Sequence, residues 1–150
     1  MTTHLEKPAD LLELIGQPLG TTNWINITQQ RVDLFAESTG DHQWIHTDTH
    51  RTADGPFDGA VAHNYLVLAL APMVISEVLQ IRELTMAFSF GINTARFPQP
   101  VPVGSLIRAS VSLISAEQKT LGVETVFGLT YRIAGIDRPA CLADVVVLYP

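Results

Sequence analysis

The chain has 150 residues, which suits one domain spanning 1–150, and at 47% hydrophobic it has the material for a sizeable core. Only 16% of residues are charged, which argues against disorder and suggests that a partner subunit covers some apolar surface. A net charge of −6 disfavours nucleic acid as a partner, while an anionic small molecule needs only a few local cations.

In chain order, Met1-Thr2-Thr3-His4-Leu5-Glu6 carries no charged-then-apolar signal pattern. Asp10 to Ile15, stopped by Gly16, reads as a short helix. Asn23 to Ile27 alternates enough for a strand. Thr28 fits an N-cap, with Ile27 and Val32 at the staple positions around it. Val32, Phe35 and Ala36 then form an apolar helix face, and Gly40 fits the left-handed position that ends the helix. Asp41 therefore opens a loop. Thr52 to Gly59 is punctuated by Asp-Gly-Pro and Asp-Gly and reads as loop. Ala60 to Leu79 is apolar nearly all round, so the pattern predicts one long buried helix, kinked at Pro72. Its longest apolar run, Val67 to Ile75, is far short of the ~20 residues that a membrane span needs.

The remainder alternates with period two. Leu84, Met86, Phe88, Phe90 and Ile92 make one stripe, and Ile107, Ala109, Val111 and Leu113 a second. Val123 to Ile133 supplies a third and Cys141 to Tyr149 a fourth. The prolines of Phe97–Gly104 forbid a central strand there. Cys141 is the single cysteine, so no disulfide forms within the chain and a reducing cytoplasm is the expected compartment. One buried helix followed by four long strands implies an α+β layout, an antiparallel sheet curled around that helix.

The chemistry concentrates between residues 35 and 66. Asp41 and His46 lie five apart just beyond a helix stop, with Trp44 and Ile45 as apolar walls, and such a pair can exchange a proton through one shared water. The residues alone also allow a loop aspartate that caps the next turn and a histidine that only packs. His42, His46 and His50 at i, i+4 and i+8, with Asp48, would line one helix face as metal ligands, yet no zinc motif accompanies them and no metal is expected. His63-Asn64 opens the buried helix, either as a cap or as a source of free N–H groups for a negative oxygen. Arg96 is one of five cations that could meet a phosphate-bearing ligand. No nucleophile elbow, P-loop or Rossmann glycine motif is present, and no cofactor is expected.

Three blocks carry a resemblance. Phe35-x-x-x-Thr39-Gly40-Asp41-x-Gln43-x-Ile45-His46-x-Asp48 resembles the hydratase motif of the MaoC-like (R)-specific enoyl-CoA hydratases. Phe57-x-x-x-Val61-Ala62-His63-Asn64 is similar to the family's next block, and Arg96-Phe97-x-x-Pro100-Val101-x-Val103-Gly104-Ser105 to its third. The whole run resembles the short single-domain members close to NodN-like proteins. The resemblance implies a hot-dog fold, a homodimer with the acyl chain near the subunit interface, and reversible hydration of a trans-2-enoyl-CoA thioester to an (R)-3-hydroxyacyl-CoA. It implies Asp41 and His46 as the catalytic pair, the N–H of Asn64 beside His63 as the donor to the thioester oxygen, and Gln43 as an orienting residue. Trp44, Phe57 and Arg96 are expected against the substrate. The motif usually has Asn at position 43 and Gly at position 64. Gln43 is one methylene longer, and Asn64 places a Cβ where the thioester approaches. A hot-dog acyl-CoA thioesterase and an acyl-CoA-binding protein without hydratase turnover are the rival readings.

Overall fold

The computed structural model describes residues 1–150. Strand β1 (Thr3–Leu5) leads into a 3-10 helix over Pro8–Glu13, earlier and tighter than the short helix expected from Asp10 to Ile15. The Asp10 carboxylate sets its start by accepting the N–H groups of Glu6 and Lys7 at 3.1 and 3.0 Å. Strand β2 (Pro18–Thr21) follows, and the strand expected over Asn23–Ile27 is confined to β3 (Ile25–Asn26). Helix α1 (Gln29–Thr39) begins and ends as its sequence dictates. Thr28 Oγ1 accepts the Arg31 N–H at 3.1 Å, Ile27 and Val32 are both buried at the cap, and Gly40 closes the helix at φ 79°. Two short helices, α2 (Trp44–Thr47) and α3 (Thr49–Ala53), come next.

The single long helix expected over Ala60–Leu79 is instead two, α4 (Asn64–Ala69) and α5 (Ala71–Val78). Residues before Asn64 are extended, and Val61 bridges to Pro102. Pro72 sits in the first turn of α5, where a missing N–H removes no intrahelical bond, so the run restarts there rather than bending. Leu66, Val67, Val74 and Val78 are buried, whereas Tyr65 and Met73 are exposed, so the helices have an outer face.

Strand β4 (Leu79–Ile81) pairs with β1 in a small parallel sheet. The main sheet has six strands in the order β2–β6–β7–β8–β5, with β3 also on β6, where β5 is Phe88–Arg96, β6 Leu106–Lys119, β7 Gly122–Ile133 and β8 Ile136–Tyr149. All its pairings are antiparallel. The stripes of β6, β7 and β8 are core: Ile107, Leu113, Phe127, Tyr131 and Cys141 are wholly buried against the α4–α5 face. The curled antiparallel sheet over central helices is the hot-dog arrangement, with the helix broken rather than continuous.

The first stripe behaves differently. Leu84 and Met86 precede β5, and a bulge between Ser89 and Gly91 switches its faces. Phe88 consequently lies opposite Leu148, while Ile92 lies opposite Val145 on the core side. Leu84, Met86, Phe88, Phe90 and Ile92 are all exposed, at 45–55%. β5 pairs only with β8, so its second edge is open.

Candidate active site

Three segments meet beside the start of α4, the first two consecutive in the chain. The first is the turn after α1. Thr39 Oγ1 donates to the Phe35 carbonyl at 2.7 Å, Gly40 reverses the chain, and Asp41 Oδ1 accepts the Gln43 N–H at 3.3 Å. Aspartate commonly locks its own loop this way. The second is α2, which buries His46. The third is the extended Ala60–His63 stretch, held from both sides: Val61 N–H donates to Ile45 O at 3.0 Å, and Ala62 N–H to Val101 O at 2.8 Å. The Pro-rich segment thus serves as a brace.

The protonation pattern of the two buried histidines follows from their partners. His46 Nδ1 lies 2.6 Å from the Val61 carbonyl oxygen, which can only accept, so Nδ1 carries a hydrogen and in the neutral tautomer Nε2 is the acceptor. His63 Nε2 donates to the Asp41 carbonyl at 2.9 Å by the same reasoning. The rings stack at 3.8 Å with 24° between their planes, and the Phe35 ring lies tilted against His63 at 4.9 Å. One ligating atom each from Asp41, His46 and His63 lies within 4.8 Å of the others. A water bonded to two acceptors at about 2.8 Å holds them about 4.6 Å apart, so the spacing suits one shared water.

The histidine trio read from the sequence does not assemble. His42 and His50 are exposed, and α2 and α3 are separate helices. The cluster that does form, Asp41–His46–His63, has metal-binding residue types. Nearly parallel rings send their in-plane lone pairs side by side instead of to a common point, so the arrangement does not suit an ion.

The dyad opens on a cavity of about 350 Å³, whose walls include Ile45, Phe57, Tyr65 and Phe97. Tyr65 also borders a second, strongly apolar cavity of about 390 Å³ between α4–α5 and strands β5 and β8, lined by Leu68, Ile75, Ile92 and Val146 among others. Met73, Phe88 and Phe90, natural candidates to set pocket depth, are exposed and lie outside that lining.

The other sequence candidates separate. Asn64 is the first residue of α4 and lines the smaller cavity; its N–H and that of Tyr65 donate to no protein acceptor. His63 occupies the N-cap position, but its side chain does not cap the helix. Phe57 lines the smaller cavity. Gln43 acts on Asp41 through its backbone, and its side chain is exposed. Trp44 lies outside the cavity lining and carries the Arg51 guanidinium 3.9 Å above its ring. Arg96 faces a different depression, on the outer side of the sheet beside Thr94 and Asp144. The contact of His63 with Asp41 and His46 was not visible in the sequence, because it joins positions 22 and 17 residues away through the fold.

Fold and site together define a hot-dog protein with an aspartate–histidine pair lining a cavity that neighbours an apolar one at Tyr65. Residues 10–130 match the MaoC like domain model. The chain is 42% identical over 145 residues to 3-hydroxyacyl-thioester dehydratase Z of Mycobacterium tuberculosis, covering 96% of each. It is 38% identical to nodulation protein N of Rhizobium meliloti over 139 residues, covering 91% of this chain and 86% of that one. Among solved structures, the unliganded R-hydratase PhaJ1 of Pseudomonas aeruginosa shares the fold at a TM-score of 0.74 and 21% identity, covering 91% of this chain and 81% of that one. The chain belongs to the MaoC-like dehydratase family.

Proposed function

We propose that the chain is an (R)-specific hydro-lyase that interconverts a trans-2-enoyl thioester and water with an (R)-3-hydroxyacyl thioester, with coenzyme A as the expected carrier. The observation that carries this reading is the convergence of Asp41 and His46 at a water-sized separation in the wall of one cavity, beside a second that is strongly apolar. The relative named as a 3-hydroxyacyl-thioester dehydratase supports the reaction class.

Asp41 and His46 hold the water. As its oxygen bonds to the β-carbon, one of the pair takes a proton from it and the π electrons move towards the thioester oxygen. The enolate then collapses as a proton reaches the α-carbon from the pair on the same face. The reverse sequence expels water. The two groups act as a coupled unit, so base and acid are not assigned separately. The N–H of Asn64 supports the thioester oxygen, a donor of a kind whose removal costs about 2.7–4 kcal/mol. With α4 only six residues long, this support comes from local N–H groups rather than a long helix dipole. The apolar cavity beyond Tyr65 takes the acyl chain.

The exposed stripe on β5 fits a homodimer. An open edge strand with apolar side chains on its surface is a ready surface for a second copy. No helix of the chain is long and apolar enough to cross a membrane.

The test is incubation with trans-2-enoyl-CoAs of graded length, following loss of the enoyl absorbance, release of free thiol and product configuration. Absorbance loss with an (R) product and no thiol supports the proposal. Thiol release would indicate a thioesterase, and tight binding without turnover an acyl-CoA-binding protein.

A further inference from the structure

His63 is buried at 3% exposure, yet its ring does little that core packing requires. It does not cap α4, although its backbone oxygen accepts the N–H groups of Leu66 and Val67 at 3.0 and 3.4 Å. Instead the ring lies against Phe35 and His46, and its Nε2–H donates to the Asp41 carbonyl. With that hydrogen on Nε2, Nδ1 is a bare acceptor, and it has no protein donor. An apolar ring would fill the same space without burying an unpaired nitrogen. Unpaired buried polar atoms carry a free-energy cost and mark places where something other than stability is served.

The ring touches the backbone of one member of the dyad, the imidazole of the other, and directly precedes Asn64, the proposed N–H donor. We propose that His63 is a positioning residue, whose imidazole locks Asp41, His46 and the first turn of α4 into one unit aligned for proton transfer. The proposal rests on the hydratase reading of the dyad. It requires two features of the side chain at once: a flat ring against His46 and an N–H at the far end aimed at the Asp41 carbonyl.

The two features separate by mutation. His63→Phe keeps a ring and removes the donor. His63→Gln restores an N–H at about the same reach and removes the ring, and His63→Ala removes both. With crotonyl-CoA, His63→Phe and His63→Ala lower kcat by about 10-fold to 10²-fold, the scale of a misplaced reacting group. KM stays within about threefold, since substrate contacts are intact. His63→Gln recovers part of the lost kcat. Thermal melting checks folding, and if His63→Ala does not fold, the Phe and Gln pair decides.

Full kcat in His63→Phe, or a rise in KM with kcat unchanged, overturns the proposal. Asp41→Asn assayed alongside separates the two levels of argument. If Asp41→Asn loses turnover while His63→Phe keeps it, only the positioning role fails. If both keep it, the dyad reading fails as well.

Discussion

Asp41 owes its place to Gly40. At φ 79° the backbone is in the left-handed region, and nothing lies within 4 Å of where a Cβ would stand, so the demand is conformational rather than steric. Gly40→Ala is expected to lower stability by about 1–2 kcal/mol, read as a shift in the urea midpoint at constant slope, and to lower turnover because Asp41 follows the turn. Asn64→Gly clears a side chain from the mouth of the cavity, and kcat/KM for crotonyl-CoA is expected to rise. Away from the site, burial pushes the Cys141 thiol from 9.0 up to about 11. The folded chain therefore holds a proton that the unfolded chain releases first. Stability is complete below pH of about 9 and declines as pH rises towards about 11, and Cys141→Ala should flatten that decline in denaturant midpoints taken across the range. Burial raises Tyr131 and Tyr149 from 10.0 as well, so their loss sets in from about pH 10, overlaps that of Cys141 and continues above it. The residue scale was also where the sequence said most. The Gly-Asp…His spacing was legible because all its members lie in one turn and one short helix. The His46–His63 stack was not, because it exists only after α4 is docked.

Elements were legible where one period governs both burial and pairing. β6, β7 and β8 bury the residues that the alternation marked, because that face of each lies on the core; β8 goes further and buries both faces from Val145 to Tyr149. β5 looks the same as text, yet its apolar side chains are exposed, since alternation reports that a side chain seeks cover and not which chain provides it. Its bulge then changes the face midway. The α4–α5 break is only half legible, as the kink expected at Pro72: the apolar run continues through Leu70 and Pro72, and the proline is tolerated as the second residue of a new helix. At the β6–β7 turn, Gly122 is held both by φ 142° and by contact, as a Cβ there would clash with the Tyr149 carbonyl oxygen. Gly122→Ala is expected to cost more than about 1 kcal/mol, measured by thermal or urea unfolding.

For the whole molecule, the low charge, the open β5 edge and the exposed Leu84–Ile92 side chains converge on one surface. That surface adjoins the larger apolar cavity, which Leu84 and Ile92 also line, so a second copy would cover the cavity proposed to take the acyl chain. Phe88→Glu combined with Phe90→Glu is expected to give a monomer by analytical ultracentrifugation, while the unaltered chain sediments as a dimer with a concentration-dependent Tm. A monomeric unaltered chain would remove the dimer from the proposal without touching the dyad. The dyad itself is tested most directly by the turnover of crotonyl-CoA in Asp41→Asn and His46→Ala, each confirmed folded, beside the unaltered chain. A loss of about 10²-fold or more in both is the expected result; near-normal hydration in both would contradict the central claim that these two side chains share the water that reacts.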